Sequence, residues 1–189
     1  MEELCAACVS GNSEAIGRLA PGLDLNAPPV RGNLPLHFAA MAKSGGAACT
    51  SVLLDLRADV QATTDEGRYA IHVAAENPAG AEMIGLLLEA RADADAKSTA
   101  SRTPLHFAAV EGVFGTTQAL LAAGADVNSE NSCGAIPLHW AAKTGKLDLC
   151  KLLVDAKSDL NVVDNLGRTP SEMAADNRHS HIAALLQAT

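Results

Sequence analysis

A seven-residue segment returns along this chain at a nearly fixed interval, and an interval of that size admits few architectures. It reads Leu34-Pro35-Leu36-His37-Phe38-Ala39-Ala40, then Tyr69-Ala70-Ile71-His72-Val73-Ala74-Ala75. It returns as Thr103-Pro104-Leu105-His106-Phe107-Ala108-Ala109 and as Ile136-Pro137-Leu138-His139-Trp140-Ala141-Ala142. A degenerate copy follows, Thr169-Pro170-Ser171-Glu172-Met173-Ala174-Ala175. Successive histidines are 35, 34 and 33 residues apart, and Glu172 lies 33 beyond His139. Self-similarity at this period marks a stack of repeats in which each unit touches only its neighbours.

The segment from Asn131 to Asp164 shows what one unit does. Cys133-Gly134 signals a turn, since glycine adopts positive φ without a Cβ penalty. Pro137 suits a first helical position, where its missing N–H is not needed. Leu138, Ala141 and Ala142 then line one face of a short helix, which Gly145 ends. A second, more apolar helix holds Leu147, Cys150, Leu152, Leu153 and Val154, and Lys157 to Asn161 lead out to the next turn at Leu166-Gly167. The unit is turn, helix, turn, helix and extended arm. Alone it is too small to bury its apolar face, so neighbours must stack.

The motif Thr-Pro-Leu-His-x-Ala-Ala with the tail Gly124-Ala125-Asp126-Val127-Asn128 resembles the ankyrin repeat, over nearly the whole chain. The resemblance implies an all-α solenoid of stacked helix pairs with β-hairpin-like fingers along one edge. The expected division is an N-terminal capping repeat at 1–29, full repeats at 30–64, 65–98, 99–131 and 132–164, and a short C-terminal capping repeat at 165–189. Leu4 to Asn12 reads as a degenerate first helix and Ser13 to Leu19 as its partner. With atypical units at both ends, the chain is expected to be a complete small protein.

Composition narrows the function classes. Hydrophobic residues make up 48% of the chain but aromatics only 3%, which suits thin helices packed through Ala and Leu. The net charge of −8 argues against nonspecific nucleic-acid binding, which needs a basic footprint. It favours solubility and a basic partner. No apolar run is long enough to span a bilayer, so no membrane insertion is expected. No secretory signal is visible, and the five cysteines are odd in number and irregularly spaced. A reducing compartment, cytoplasmic or nuclear, is the expectation.

No constellation of residues points to catalysis, a metal or a cofactor, and the expected protein is not an enzyme. Neighbouring repeats place equivalent histidines about 8–10 Å apart, whereas zinc holds its nitrogens at about 2.0–2.1 Å. The repeat histidines are therefore expected to bond helix start to adjoining turn. His179 and His181, two apart, are expected on different helix faces. Cys5-Ala6-Ala7-Cys8 has the spelling of a redox or zinc pair but lies in an Ala-rich helical stretch. Cys133, at a finger tip, is the expected exposed thiol. Asp59, Asp93, Asp126 and Asp159 recur at the repeat spacing as turn formers. Trp140 aligns with Phe38, Val73 and Phe107, a packing column, with a partly exposed binding anchor as the alternative.

Departures from the repeat pattern are individual to this chain. Arg57, Arg91 and Lys157 stand where the family has glycine and where Gly124 keeps it. A cation there offsets part of the left-handed strain through the helix dipole, by about 0.3–1 kcal/mol. A basic ladder meeting an acidic partner is the functional alternative. Ser101 replaces the turn glycine seen at Gly32, Gly67 and Gly134, which predicts a distorted turn. Extra residues around Ser44-Gly45-Gly46-Ala47 and Asn77-Pro78-Ala79-Gly80 lengthen two helix–helix loops at small entropic cost.

The family resemblance implies binding of another protein on the concave side, through finger tips and first helices. Carried over position by position, the tips offer Arg31, Asn33, Glu66, Arg68, Tyr69, Arg102, Ile136, Leu166 and Arg168. The first helices offer Glu76, Asn77, Glu111 and Lys143. Tyr69, Ile136 and Leu166 are the expected apolar anchors, flanked by arginines. The expected function is a non-enzymatic protein–protein interaction module, acting as a monomer or within a hetero-complex. The alternative is a stoichiometric subunit of a larger assembly.

Overall fold

The computed structural model describes residues 1–26 and 32–188. Among these it holds twelve helices and no strand, with one isolated antiparallel bridge between Thr63 and Tyr69. The helices fall into six pairs: α1 (Glu2–Val9) with α2 (Ser13–Leu19), α3 (Pro35–Met41) with α4 (Gly46–Asp55), and α5 (Ala70–Glu76) with α6 (Gly80–Glu89). Then follow α7 (Pro104–Glu111) with α8 (Phe114–Ala122), α9 (Pro137–Lys143) with α10 (Leu147–Asp155), and α11 (Pro170–Asp176) with α12 (Ser180–Ala188). The expected all-helical repeat solenoid is the architecture observed.

Helices of 7 to 10 residues have little stability alone, so the stack supplies it. The odd-numbered helices form one row and the even-numbered helices a second. Between the rows run columns of buried side chains at the repeat spacing. Leu36, Ile71, Leu105 and Leu138 come from the first helices, and Leu53, Leu87, Leu120 and Leu153 from the second. The Ala-Ala pairs of the four histidine-bearing repeats are buried as well, and their small side chains let neighbouring first helices approach closely.

Each repeat histidine caps its own helix and reaches the next unit. His106 Nδ1 accepts from the Thr103 N–H at 3.1 Å, and its Nε2–H donates to the Ala135 carbonyl at 2.9 Å. His37, His72 and His139 repeat this arrangement toward the Arg68, Arg102 and Arg168 carbonyls. Glu172 keeps only the capping half, accepting from the Thr169 N–H at 2.8 Å. With both nitrogens engaged, the ring holds one tautomer and joins consecutive units.

The tails form a second line of contacts between units. Asp59, Asp93, Asp126 and Asp159 each accept from the N–H two residues on, as expected of turn formers. Arg57, Arg91 and Lys157 adopt φ of 67°, 68° and 69°, so the left-handed conformation persists without glycine. In each case an amide from the preceding tail donates to that residue's carbonyl: Asn26 to Arg57, Gln61 to Arg91, Asn128 to Lys157. Before Gly124 the same tail position is Asp95, whose carboxylate accepts from the Asp126 N–H, as Asn26 and Asn128 accept from Asp59 and Asp159, but has no donor to offer.

Ser101 does not distort its turn. It takes φ 53° and donates its N–H to the Ser98 carbonyl at 2.8 Å, as Gly67 and Gly134 do to Thr64 and Asn131. The turn geometry is imposed by neighbouring fingers, with Thr99 bonding the Glu66 carbonyl and Ser132 the Ala100 carbonyl. The serine carries the strain in place of the fold. Ser101→Gly is therefore expected to raise stability by about 0.5–1 kcal/mol, read as a higher urea midpoint.

Candidate functional site

The fingers and the first helices share one face, and three columns of side chains run along it. The residue after the turn glycine, or after Ser101 in its place, is Asn33, Arg68, Arg102, Ala135 or Arg168. The residue after the histidine is Phe38, Val73, Phe107, Trp140 or Met173, and the residue after the Ala-Ala pair is Met41, Glu76, Val110, Lys143 or Asp176. Stacking brings the first column of one unit over the second column of the next. The Arg68 guanidinium lies 4.6 Å from the Phe107 ring centroid, and that of Arg102 lies 4.7 Å from the Trp140 ring. Lys143 Nζ reaches the same indole at 4.9 Å. Tyr69 stacks on His72 at 5.7 Å, and His72 meets the edge of Phe107 at 5.3 Å. The result is a continuous run of cations and rings, each contact worth roughly 0.5–1 kcal/mol where it is partly exposed.

Charges along the run are paired unevenly. Arg68 forms an ion pair with Glu76, eight residues on. Arg168 reaches the equivalent Asp176 at 3.7 Å and the buried Asp164 at 2.7 Å. Burial works against the Asp164 charge, but Arg168 and the turn N–H groups hold its carboxyl below the usual carboxylate range. Between these paired ends, Arg102 and Lys143 have no carboxylate within 4 Å among the described residues.

One end of the face opens into a groove of about 220 Å³, lined by Asn33, Met41, Thr64, Glu66, Arg68 and Val73 among others. Val73 is the small member of the ring column. A larger hollow of about 800 Å³ lies between α8 and α10 on the other side, where these two helices barely touch. Phe114, Leu147 and Leu152 line it, with Lys146 and Lys151 set against Asp148 and Asp155. Its charges compensate one another, whereas those around Trp140 do not.

A family model of ankyrin repeats, three copies long, matches residues 4–98, 36–131 and 105–189. The chain belongs to the ankyrin repeat family. No individual curated protein matches it. Ankyrin repeats are generally protein–protein interaction modules, typically without catalytic activity. No described helix of this ankyrin stack is long and apolar enough to cross a membrane.

Two residues expected on the binding face of the ankyrin stack are structural. Ile136 is fully buried, because the position preceding the helix proline points inward, as it does at Leu34 and Thr103. Asn77 is also buried. Its Nδ2 donates to the Ala40 and Ala42 carbonyls at 2.9 and 2.8 Å, so the lengthened loop ties its unit to the preceding one. Tyr69 is half-buried against His72, so its anchor surface is reduced to one side. Leu166 is 76% exposed, and Glu66, Glu111 and Lys143 are exposed too. Asn33 and Glu76 are half-buried on the face. Arg31 lies outside the described residues, as does the boundary expected between residues 29 and 30. The ring partner Phe107 was not among the expected site residues, and Trp140 was a binding anchor only as the alternative to core packing. Their signal is a contact pattern 38 to 39 residues long, one repeat plus five.

The thiols and remaining histidines divide as the helices dictate. Cys5 and Cys8 lie within α1 and are buried, and Cys133 is exposed at its tip. Burial, with Cys49 and Cys5 nearby, pushes the Cys8 thiol up to about 12, which removes it as a nucleophile at neutral pH. His179 precedes α12 rather than lying in it, so its ring meets the edge of His181 at 6.4 Å instead of pointing away. His179 Nε2 bonds the Lys143 carbonyl at 3.1 Å.

Proposed function

We propose that this protein is a non-enzymatic binding module whose partner protein docks on the face made by the fingers and first helices, the concave side in this family. The observation that carries the reading is the run of cations and buried or half-buried rings from Arg68 to Lys143. A rigid face of this kind loses little conformational entropy on association, because the side chains are already held. Arginine and aromatic residues also dominate binding energies where they are centrally placed. The hollow between α8 and α10 has apolar walls but no net charge to select a partner.

Affinity purification with mass spectrometry identifies the partner, and two substitutions then test the face. Tyr69→Ala and Arg102→Glu are each expected to weaken that complex by at least tenfold in a titration, with the fold retained by circular dichroism. Undiminished binding in both would place the contact on the second helices or the lengthened loops.

A further inference from the structure

We infer that Arg102, Trp140 and Lys143 form a receptor for a carboxylate side chain supplied by an acidic segment of the partner. The argument rests on the use of this face proposed above and comes from comparing equivalent positions along the stack. A finger arginine is present at Arg68, Arg102 and Arg168. Eight residues further on, Arg68 finds Glu76 and Arg168 finds Asp176, so the chain itself shows which group satisfies this cation. Arg102 finds Val110 at that position. In the next unit the finger position is Ala135 and the position eight residues on is Lys143, a second cation in place of the carboxylate.

Both unpaired cations converge on one ring, at 4.7 and 4.9 Å from the Trp140 centroid. The indole ring attracts each of them, and among the described residues neither has a carboxylate counter-ion within 4 Å. Glu111, the exposed acid at the end of α7, forms no ion pair with either within 4 Å. A carboxylate entering between them would make charge-assisted hydrogen bonds to both, which the flanking units obtain internally. The net charge of −8 opposes a long polyphosphate, because a nucleic acid would meet the acidic remainder of the molecule. The same charge favours a partner that is basic overall, and a short acidic stretch within such a protein brings its charge to one place.

The single tryptophan lies in this site, so its fluorescence reports occupancy directly. The probe is a blocked hexaglutamate peptide titrated into the intact protein, beside hexathreonine and a short oligothymidylate. Hexaglutamate is expected to give a saturable change that weakens several-fold between low and physiological salt. Val110→Glu installs the missing internal carboxylate and is expected to weaken the peptide at least fivefold while leaving the fold intact. Lys143→Glu is expected to weaken it about tenfold, and Lys151→Glu on α10 to leave it unchanged. No saturable response, an equal response in Val110→Glu, or a response to the oligothymidylate alone would overturn the assignment. If the partner complex is still lost in Tyr69→Ala, such a result removes the carboxylate receptor and leaves the docking face standing.

Discussion

Lowering the pH from 7.5 to 5 is expected to destabilise this protein by several kcal/mol. The cause is the set of repeat histidines. Burial, with Arg68 and Arg102 close by, holds His72 and His106 down at about 4, against an ordinary value of 6.5, and His37 and His139 are lowered as well. Each ring uses Nδ1 as an acceptor for its cap N–H, so a proton there would set one donor against another. Below pH 6.5 the unfolded chain binds protons that the folded chain refuses. Stability is therefore complete above about pH 6.5 and is lost as pH falls toward about 4, where the folded state also protonates. His72 and His106 each contribute roughly 2 kcal/mol of this loss by pH 5 and roughly 3 kcal/mol by pH 4. Against a typical total of about 5–15 kcal/mol, the effect approaches unfolding. Urea titrations at pH 7.5, 6 and 5 should show the midpoint falling steadily. A midpoint independent of pH over that range would mean that the histidines are not held neutral.

Leu105→Ala is expected to lower stability by about 2–5 kcal/mol. Leu105 is fully buried in α7, which packs against α5, α8 and α9. Removing its side chain leaves a void that helices fixed on three sides cannot close, and the cavity adds to the lost transfer energy. In a chain of this size the melting temperature should fall by roughly 10 °C. Leu166→Ala, at a position 76% exposed, is expected to change stability by less than about 0.5 kcal/mol. Equal effects in the two variants, by calorimetry or thermal circular dichroism, would contradict the layered core.

The sequence states this fold openly because the fold is local. Proline at the first helical turn, the histidine three residues past the cap and the paired alanines all act within a few residues, and each returns with the period. The face was legible where its residues follow the same short grammar, as at Arg68, Arg102 and Arg168. It was not legible at Ile136 and Asn77, where the direction of a side chain depends on contacts with another unit. The aligned column Leu34, Tyr69, Thr103 and Ile136 contained the hint, since an aliphatic residue at two of four copies suits an inward position. The meeting of Arg102 with Trp140 needs two units already stacked, and no window shorter than a repeat contains both.

The line of tail amides also fixes which units can stand beside which. Asn26, Gln61 and Asn128 each present a donor to a unit that carries a side chain at its left-handed site, and Asp95 precedes the unit that carries glycine. Separating the unit that ends in Asp95 from the one that carries Gly124 would break these matches. A unit with Arg57 or Lys157 placed after Asp95 would face a carboxylate where it needs a donor. The bodies of the repeats look interchangeable, yet at least one adjacency is written into the joints.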